Sequence, residues 1–148
     1  MTIILPFFVT LPRKTKADKV WHLNLNEFRN THFQILNQAK RAWKDIVEKT
    51  YWLNPFTPGN APYRFTYTLY PLNNRKFDTS NVCSIVDKFT CDALVEIGVI
   101  PNDSYKIIPV IVYQFGHVDR ENPRVELTIE SICEPFTAED EQIQQECF

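Results

Sequence analysis

Between Tyr63 and Phe115 the chain changes hydrophobic period twice, and this constrains its fold more than any other feature. Tyr63, Phe65, Tyr67 and Leu69 alternate with Arg64, Thr66, Thr68 and Tyr70, the period-2 pattern of a half-exposed strand. From Ser80 to Ile97 the period becomes helical. At about 100° per residue, Val82, Ile85, Val86, Phe89, Ala93 and Ile97 share one side, while Ser80, Asn81, Ser84, Asp87, Lys88, Cys91 and Asp92 share the other. Gly98 is a natural residue to follow the last turn, and Pro101 prevents the helix from continuing. Tyr105–Phe115 then returns to strand character. A strand–helix–strand unit is the expectation, and it requires an α/β layer.

The flanking segments extend that layer. Ile3–Thr10 reads as a first strand stopped by Pro12, and Arg124–Ser131 as a last one, reached through a polar turn at Gly116–Pro123. Phe33, Ile35, Leu36, Ala39, Trp43, Ile46 and Val47 recur at helical spacing within Thr31–Tyr51, and Lys40, Arg41, Lys44 and Lys49 give that helix a basic outer surface. His22–Asn30, rich in Asn, reads as a loop, as does the Pro55–Pro62 stretch. The sum is an α+β (α/β-like) fold: one small domain with a mixed β-sheet of about four strands packed with two main helices. Residues 1–133 form that domain, and 134–148 form a tail that reads as one short, poorly packed helix.

Composition narrows function by exclusion. Only three glycines stand against ten prolines in 148 residues. Phosphate-binding loops and dinucleotide fingerprints need glycines close together, so both are excluded. The net charge of −2 is unevenly placed: Glu134, Glu139, Asp140, Glu141 and Glu146 give the tail five acids and no base. The remainder carries 16 basic against 13 acidic residues, a body of charge +3 that is compatible with nucleic acid. Cys83, Cys91, Cys133 and Cys147 lack metal-ligand spacing with one another or with His22, His32 and His117, so a reduced compartment is expected, without zinc. No apolar run approaches the roughly 20 residues of a membrane span. MTIILPFF lacks the features of a secretory leader, so an intracellular setting is expected.

The chemistry concentrates around the second helix. Asp78 precedes it, Ser80 and Asp87 superimpose on the wheel within about 20°, Asn81 and Lys88 repeat that spacing one step round, and Asp103 lies in the loop beyond it. Carboxylates of this kind can hold a hard divalent cation with open positions for water and phosphate, and a neighbouring lysine can stabilise charge on a phosphate or leaving oxygen. The plainer alternative makes Asp78 a helix cap and Lys88–Asp92 an i,i+4 surface pair.

The stretch FDTSNVCSIVDKFTCDALVEIGVIPNDSYKI, Phe77 to Ile107, resembles the RusA-type Holliday-junction resolvases, often encoded by phages and prophages. That family shows an Asp-x-Asp-Asn opening, then a Lys, Asp-Ala-Leu, a Gly and an Asp-Asp pair before a strand. Asp78 matches the first Asp, Asn81 the Asn, Lys88 the Lys, Asp92-Ala93-Leu94 the helical motif, Gly98 the Gly, and Asp103 the last Asp. The likeness is best over Leu72–Lys106 and weaker over Leu25–Lys44. Ser80 stands where a second catalytic Asp is expected, Asn102 replaces the first member of the closing pair, and Asn81–Lys88 is about four residues longer, roughly one helical turn. Asp87, two turns below Ser80 on the same face, is then the candidate to supply the missing carboxylate.

The resemblance implies a RusA-like nuclease domain over residues 1–133, acting as a Mg²⁺-dependent endodeoxyribonuclease with Mn²⁺ able to substitute. It implies a homodimer that resolves four-way DNA junctions by paired nicks, in the cytoplasm of a bacterial host. The implied site is Asp78, Asp87 and Asp103 around one metal ion, with Lys88 assisting and Ser80 and Asn81 supporting. Arg13, Lys14, Lys16, Arg75 and Lys76 are candidate contacts to DNA phosphates. Two other readings compete: a junction-binding protein with weak or no catalysis, since Ser80 and Asn102 reduce the acid count, and an interaction module whose partner takes the acidic tail or the aromatic-rich loop. Trp21, Trp43 and Trp52 read as core or interface anchors, and Cys83 and Cys91 as small buried or half-buried residues.

Overall fold

A computed structural model describes residues 1–55, 57–75 and 78–132. The elements run β1 (Thr2–Leu5), β2 (Phe8–Leu11), β3 (Lys19–His22), α1 (Leu25–Asn30), α2 (Phe33–Leu53), β4 (Tyr63–Tyr70), α3 (Thr79–Glu96), β5 (Val110–Phe115) and β6 (Arg124–Ser131). Four strands form a mixed sheet in the order β1-β6-β4-β5, with β4 and β5 parallel and the other pairs antiparallel. The parallel pair is joined by α3, so the strand–helix–strand unit is present. The mixed four-stranded sheet packed with helices, in one small domain, is the fold class the sequence implies.

One sheet face carries the core. Phe65, Tyr67 and Leu69 of β4 are buried there beside Val125, Leu127 and Ile129 of β6 and Ile3 and Leu5 of β1. Against them pack Ala39, Trp43 and Val47 of α2 and much of α3. Trp21 is fully buried and stacks on Phe89 with ring centroids 5.8 Å apart. Trp43, also fully buried, donates from Nε1 to Thr90 Oγ1 at 3.1 Å, which satisfies both polar groups. Of the three tryptophans read as core or interface anchors, Trp52 lies outside the core: at the last turn of α2 it is 64% exposed.

Three further differences have local causes. The first strand is two, because Pro6 falls in the middle of it. β1 pairs with β6, whereas β2 pairs with β3 as a separate hairpin. The Asn-rich stretch is not a loop: it contains the end of β3 and all of α1. Asn24 caps α1 by accepting from the Glu27 N–H at 2.9 Å. Strand β5 begins at Val110 rather than Tyr105, because Ile107 and Ile108 turn back and donate their N–H groups to Ser104 O. The Gly98 position holds as read. With φ of 77°, it ends α3 by donating to Val95 O while Val99 donates to Leu94 O.

Among the described residues no helix is long and apolar enough to cross a membrane. The acidic tail at 134–148, with the short helix expected in it, lies outside the described residues, as does Lys76.

Candidate active site

Asp78 begins the helix. Its Oδ1 accepts from the Ser80 N–H at 3.1 Å, the Ser80 hydroxyl at 2.8 Å and the Asn81 N–H at 3.4 Å. The Ser80 hydroxyl first holds the Asp78 carboxyl below the ordinary carboxylate value; burial opposes it, and the backbone N–H groups of Asn81 and Ser80 add to the lowering. Asn81 is occupied as well: its Oδ1 accepts from the Leu25 N–H at 3.0 Å and ties the start of α1 to α3. Asp78, Ser80 and Asn81 therefore form a cap and a helix–helix tie.

Two turns further on the helix changes character. The wheel places Asp87 and Cys91 on the polar side, yet both are buried. Strand β5 covers that side, and Tyr113 reaches across to donate to Asp87 Oδ2 at 2.8 Å, while the Cys91 thiol donates to Oδ1 at 3.2 Å. The Tyr67 hydroxyl lies 4.0 Å from the same sulfur. Burial raises the pKa of Tyr113, Cys91 and Tyr67, with the Asp87 charge adding to each, and raises Cys83 to about 12. All four are neutral near pH 7, so Tyr113 and Cys91 face Asp87 as hydrogen-bond donors. One turn before it, the Ser84 Oγ is out of solvent with no hydrogen-bond partner among the described residues. An unpaired buried hydroxyl costs stability and is accounted for when a ligand supplies its partner.

Asp103 sits exposed in the loop after α3, near enough to Cys91 for its charge to help raise that thiol, as the Asp87 charge does. Lys88 is exposed beside Asp87 and makes no ion pair among the described residues. The Lys88–Asp92 surface pair is not formed. Asp92 lies 3.8 Å from Lys40 and Glu96 2.7 Å from Lys44, both across to α2.

The three acids do not gather at one point. Asp78 precedes Asp87 by nine positions, about 13 Å of helix axis at about 1.5 Å per residue, too far for one ion bound at about 2.0–2.6 Å. Among the described residues no group of three His, Cys, Asp or Glu side chains is arranged to hold a metal. Superposition on the wheel misled here, because it ignores rise along the axis. A Mg²⁺ ion, however, typically takes one or two protein carboxylates and completes its shell with water and substrate phosphate. Asp87 and Asp103, hard oxygen donors with the orphaned Ser84 hydroxyl near the first, are the part of the set whose chemistry fits.

Of the residues expected to contact phosphates, Arg13, Lys14 and Lys16 are all exposed in the β2–β3 loop, with Arg13 Nε donating to Ala17 O at 2.7 Å. Arg75 is exposed in the turn before α3. Sequence reasoning missed Tyr113 and Cys91 as groups that position Asp87. Their signal was available only in part: Cys91 lies four residues after Asp87, one turn on, but the register that brings Tyr113 to the helix is a tertiary fact. No protein-family model matches the chain, and no curated protein matches it.

Proposed function

We propose that this chain is a RusA-type structure-selective DNA endonuclease that resolves four-way junctions by paired nicks as a homodimer, in the cytoplasm of a bacterial host. The observation that carries the reading is the buried Asp87 carboxyl, held by Tyr113 and the Cys91 thiol in the middle of the RusA-like segment, with Asp103 in the loop beyond the same helix. Both acids come from the RusA-like segment, and exposed Lys88, next in sequence to the first, makes no ion pair among the described residues.

Tyr113 and Cys91 fix the Asp87 carboxylate in one orientation, so its remaining lone pairs are presented without rotamer cost. Asp103, on a loop, can adjust to substrate. These two residues would hold the divalent ion, Mg²⁺ or Mn²⁺. When bound, the ion offsets phosphate charge and lowers the pKa of an attacking water. Lys88 presents a compact positive charge to the scissile phosphate or the leaving oxygen. Arg13, Lys14, Lys16 and Arg75 would contact flanking phosphates, making affinity fall steeply with salt. A two-fold dimer would set two such sites against a substrate of matching symmetry.

The test is nicking of a synthetic four-way junction with Mg²⁺ or Mn²⁺ by the unmodified chain and by Asp103→Asn. Cutting by the first and not the second is the expected result. A second reading, junction binding without catalysis, is favoured by one observation: Asp78 is committed to the helix cap, leaving two acids rather than three. Tight junction binding with no nicking under any divalent ion would establish it instead.

A further inference from the structure

A recess of about 640 Å³ opens where α1, the start of α2 and the first turn of α3 meet. Its polar wall is made of amides, from Asn24, Asn26 and Asn30 around α1 and Asn81 of α3. Each of these side chains carries donor and acceptor atoms, and each has capacity left over. Asn24 and Asn81 use their Oδ1 atoms on backbone N–H groups, Asn30 uses its Nδ2 on Asn26 O, and the Asn26 amide has no partner among the described residues. Ile35 and Val82 supply apolar surface. The two permanently charged lining residues, Lys19 and Glu27, offset one another.

One aromatic ring lines the recess and a second abuts that ring. His32 lines the recess, and its ring lies 4.5 Å from that of Phe33, which is 63% exposed at the first position of α2. An exposed phenylalanine beside a neutral, amide-lined hollow suits a flat ligand with an apolar face and a hydrogen-bonding edge. Phosphate alone has neither property, and a peptide has no extended π-face.

We propose that this recess receives an unpaired nucleobase of single-stranded DNA, with Phe33 and His32 as the stacking surface and the Asn amides reading the base edge. The proposal rests on the DNA reading above and sharpens it. Asn81 precedes Asp87 by six residues, about 9 Å of helix axis. Those six residues also turn about 120° net round the axis, so a strand that reaches both passes around α3. Lys19, which follows the β2–β3 loop in sequence, lines the recess and can hold the adjoining backbone.

The test compares a 12-nucleotide oligo(dA) with an abasic strand of equal length and charge, titrated against the full chain over a range of salt. The unmodified chain should bind oligo(dA) more tightly, and Phe33→Ala should remove about 5- to 100-fold of that preference. Asn26→Ala should lower oligo(dA) affinity while leaving the slope of log affinity against log salt unchanged, because no phosphate contact is lost. Phe33 and Asn26 are both exposed, and melting curves matching the unmodified chain would confirm that each variant folds. Equal affinity for the two strands, or a preference that survives both substitutions, would overturn the proposal. Loss of junction nicking with the base preference intact would instead sink the nuclease reading alone.

Discussion

The first turn of α3 and its middle carry the same chemical group in opposite settings. At Asp78 the carboxylate is exposed, and its partners are all local: the hydroxyl and N–H of Ser80 and the N–H of Asn81. At Asp87 it is buried, and its shortest hydrogen bond comes from Tyr113, 26 positions away in β5. The first arrangement follows from two or three neighbouring residues and serves the helix. The second requires the β4–α3–β5 unit, and one turn before Asp87 the Ser84 Oγ has no hydrogen-bond partner among the described residues.

Substitutions should separate the two ends. The largest effect is expected on catalysis at the middle: Asp87→Asn and Asp103→Asn should each lower the junction-nicking rate about 10²- to 10³-fold in a single-turnover gel assay, with DNA affinity nearly retained. Next comes stability. Tyr113→Phe leaves Asp87 Oδ2 without its donor and should cost about 1–3 kcal/mol in denaturant unfolding. The same change should reduce nicking less than Asp87→Asn does, because it frees the carboxylate without removing it.

At the first turn, Asp78→Ala should lower the melting temperature modestly and leave nicking within a few-fold of the unmodified chain. Its effect has a pH signature. The folded chain holds the Asp78 carboxyl below its ordinary value of 3.8, so the cap's contribution is present above that value and is lost as pH falls through the lower folded value. Melting curves of Asp78→Ala and the unmodified chain should therefore differ at neutral pH and converge only as pH falls below the folded value, itself lower than 3.8. The smallest effect is expected at Glu96→Gln, which breaks an exposed pair with Lys44. It should shift the melting temperature only slightly, and less still at high salt.

This contrast also explains what the sequence disclosed. Strand β4 and strand β6 were legible from alternation, and α3 from its period together with Gly98 and Pro101, because each signal is local. Pro6 was as visible as Pro12, but its consequence depends on where β1 and β2 find partners. Helix α1 was concealed by its asparagines, although Asn24 followed three residues later by Glu27 is a capping signature. At the site, Asp78 as a cap was readable. The burial of Asp87 was not, because a helical wheel records angle and cannot record that β5 lies over the polar stripe. The same projection brought Ser80 and Asp87 together while hiding about 10 Å of rise.

The central claim is that the working acids of α3 lie at its middle and in the following loop, not at its cap. A Mn²⁺ titration followed by paramagnetic broadening in amide NMR spectra of the full chain tests it most directly. The expected result is that Asp87, Lys88 and Asp103 signals fade first, while those of Asp78, Ser80 and Asn81 persist. Early loss of the Asp78–Asn81 signals with Asp87 and Asp103 unaffected, or uniform broadening with no focus, would contradict it.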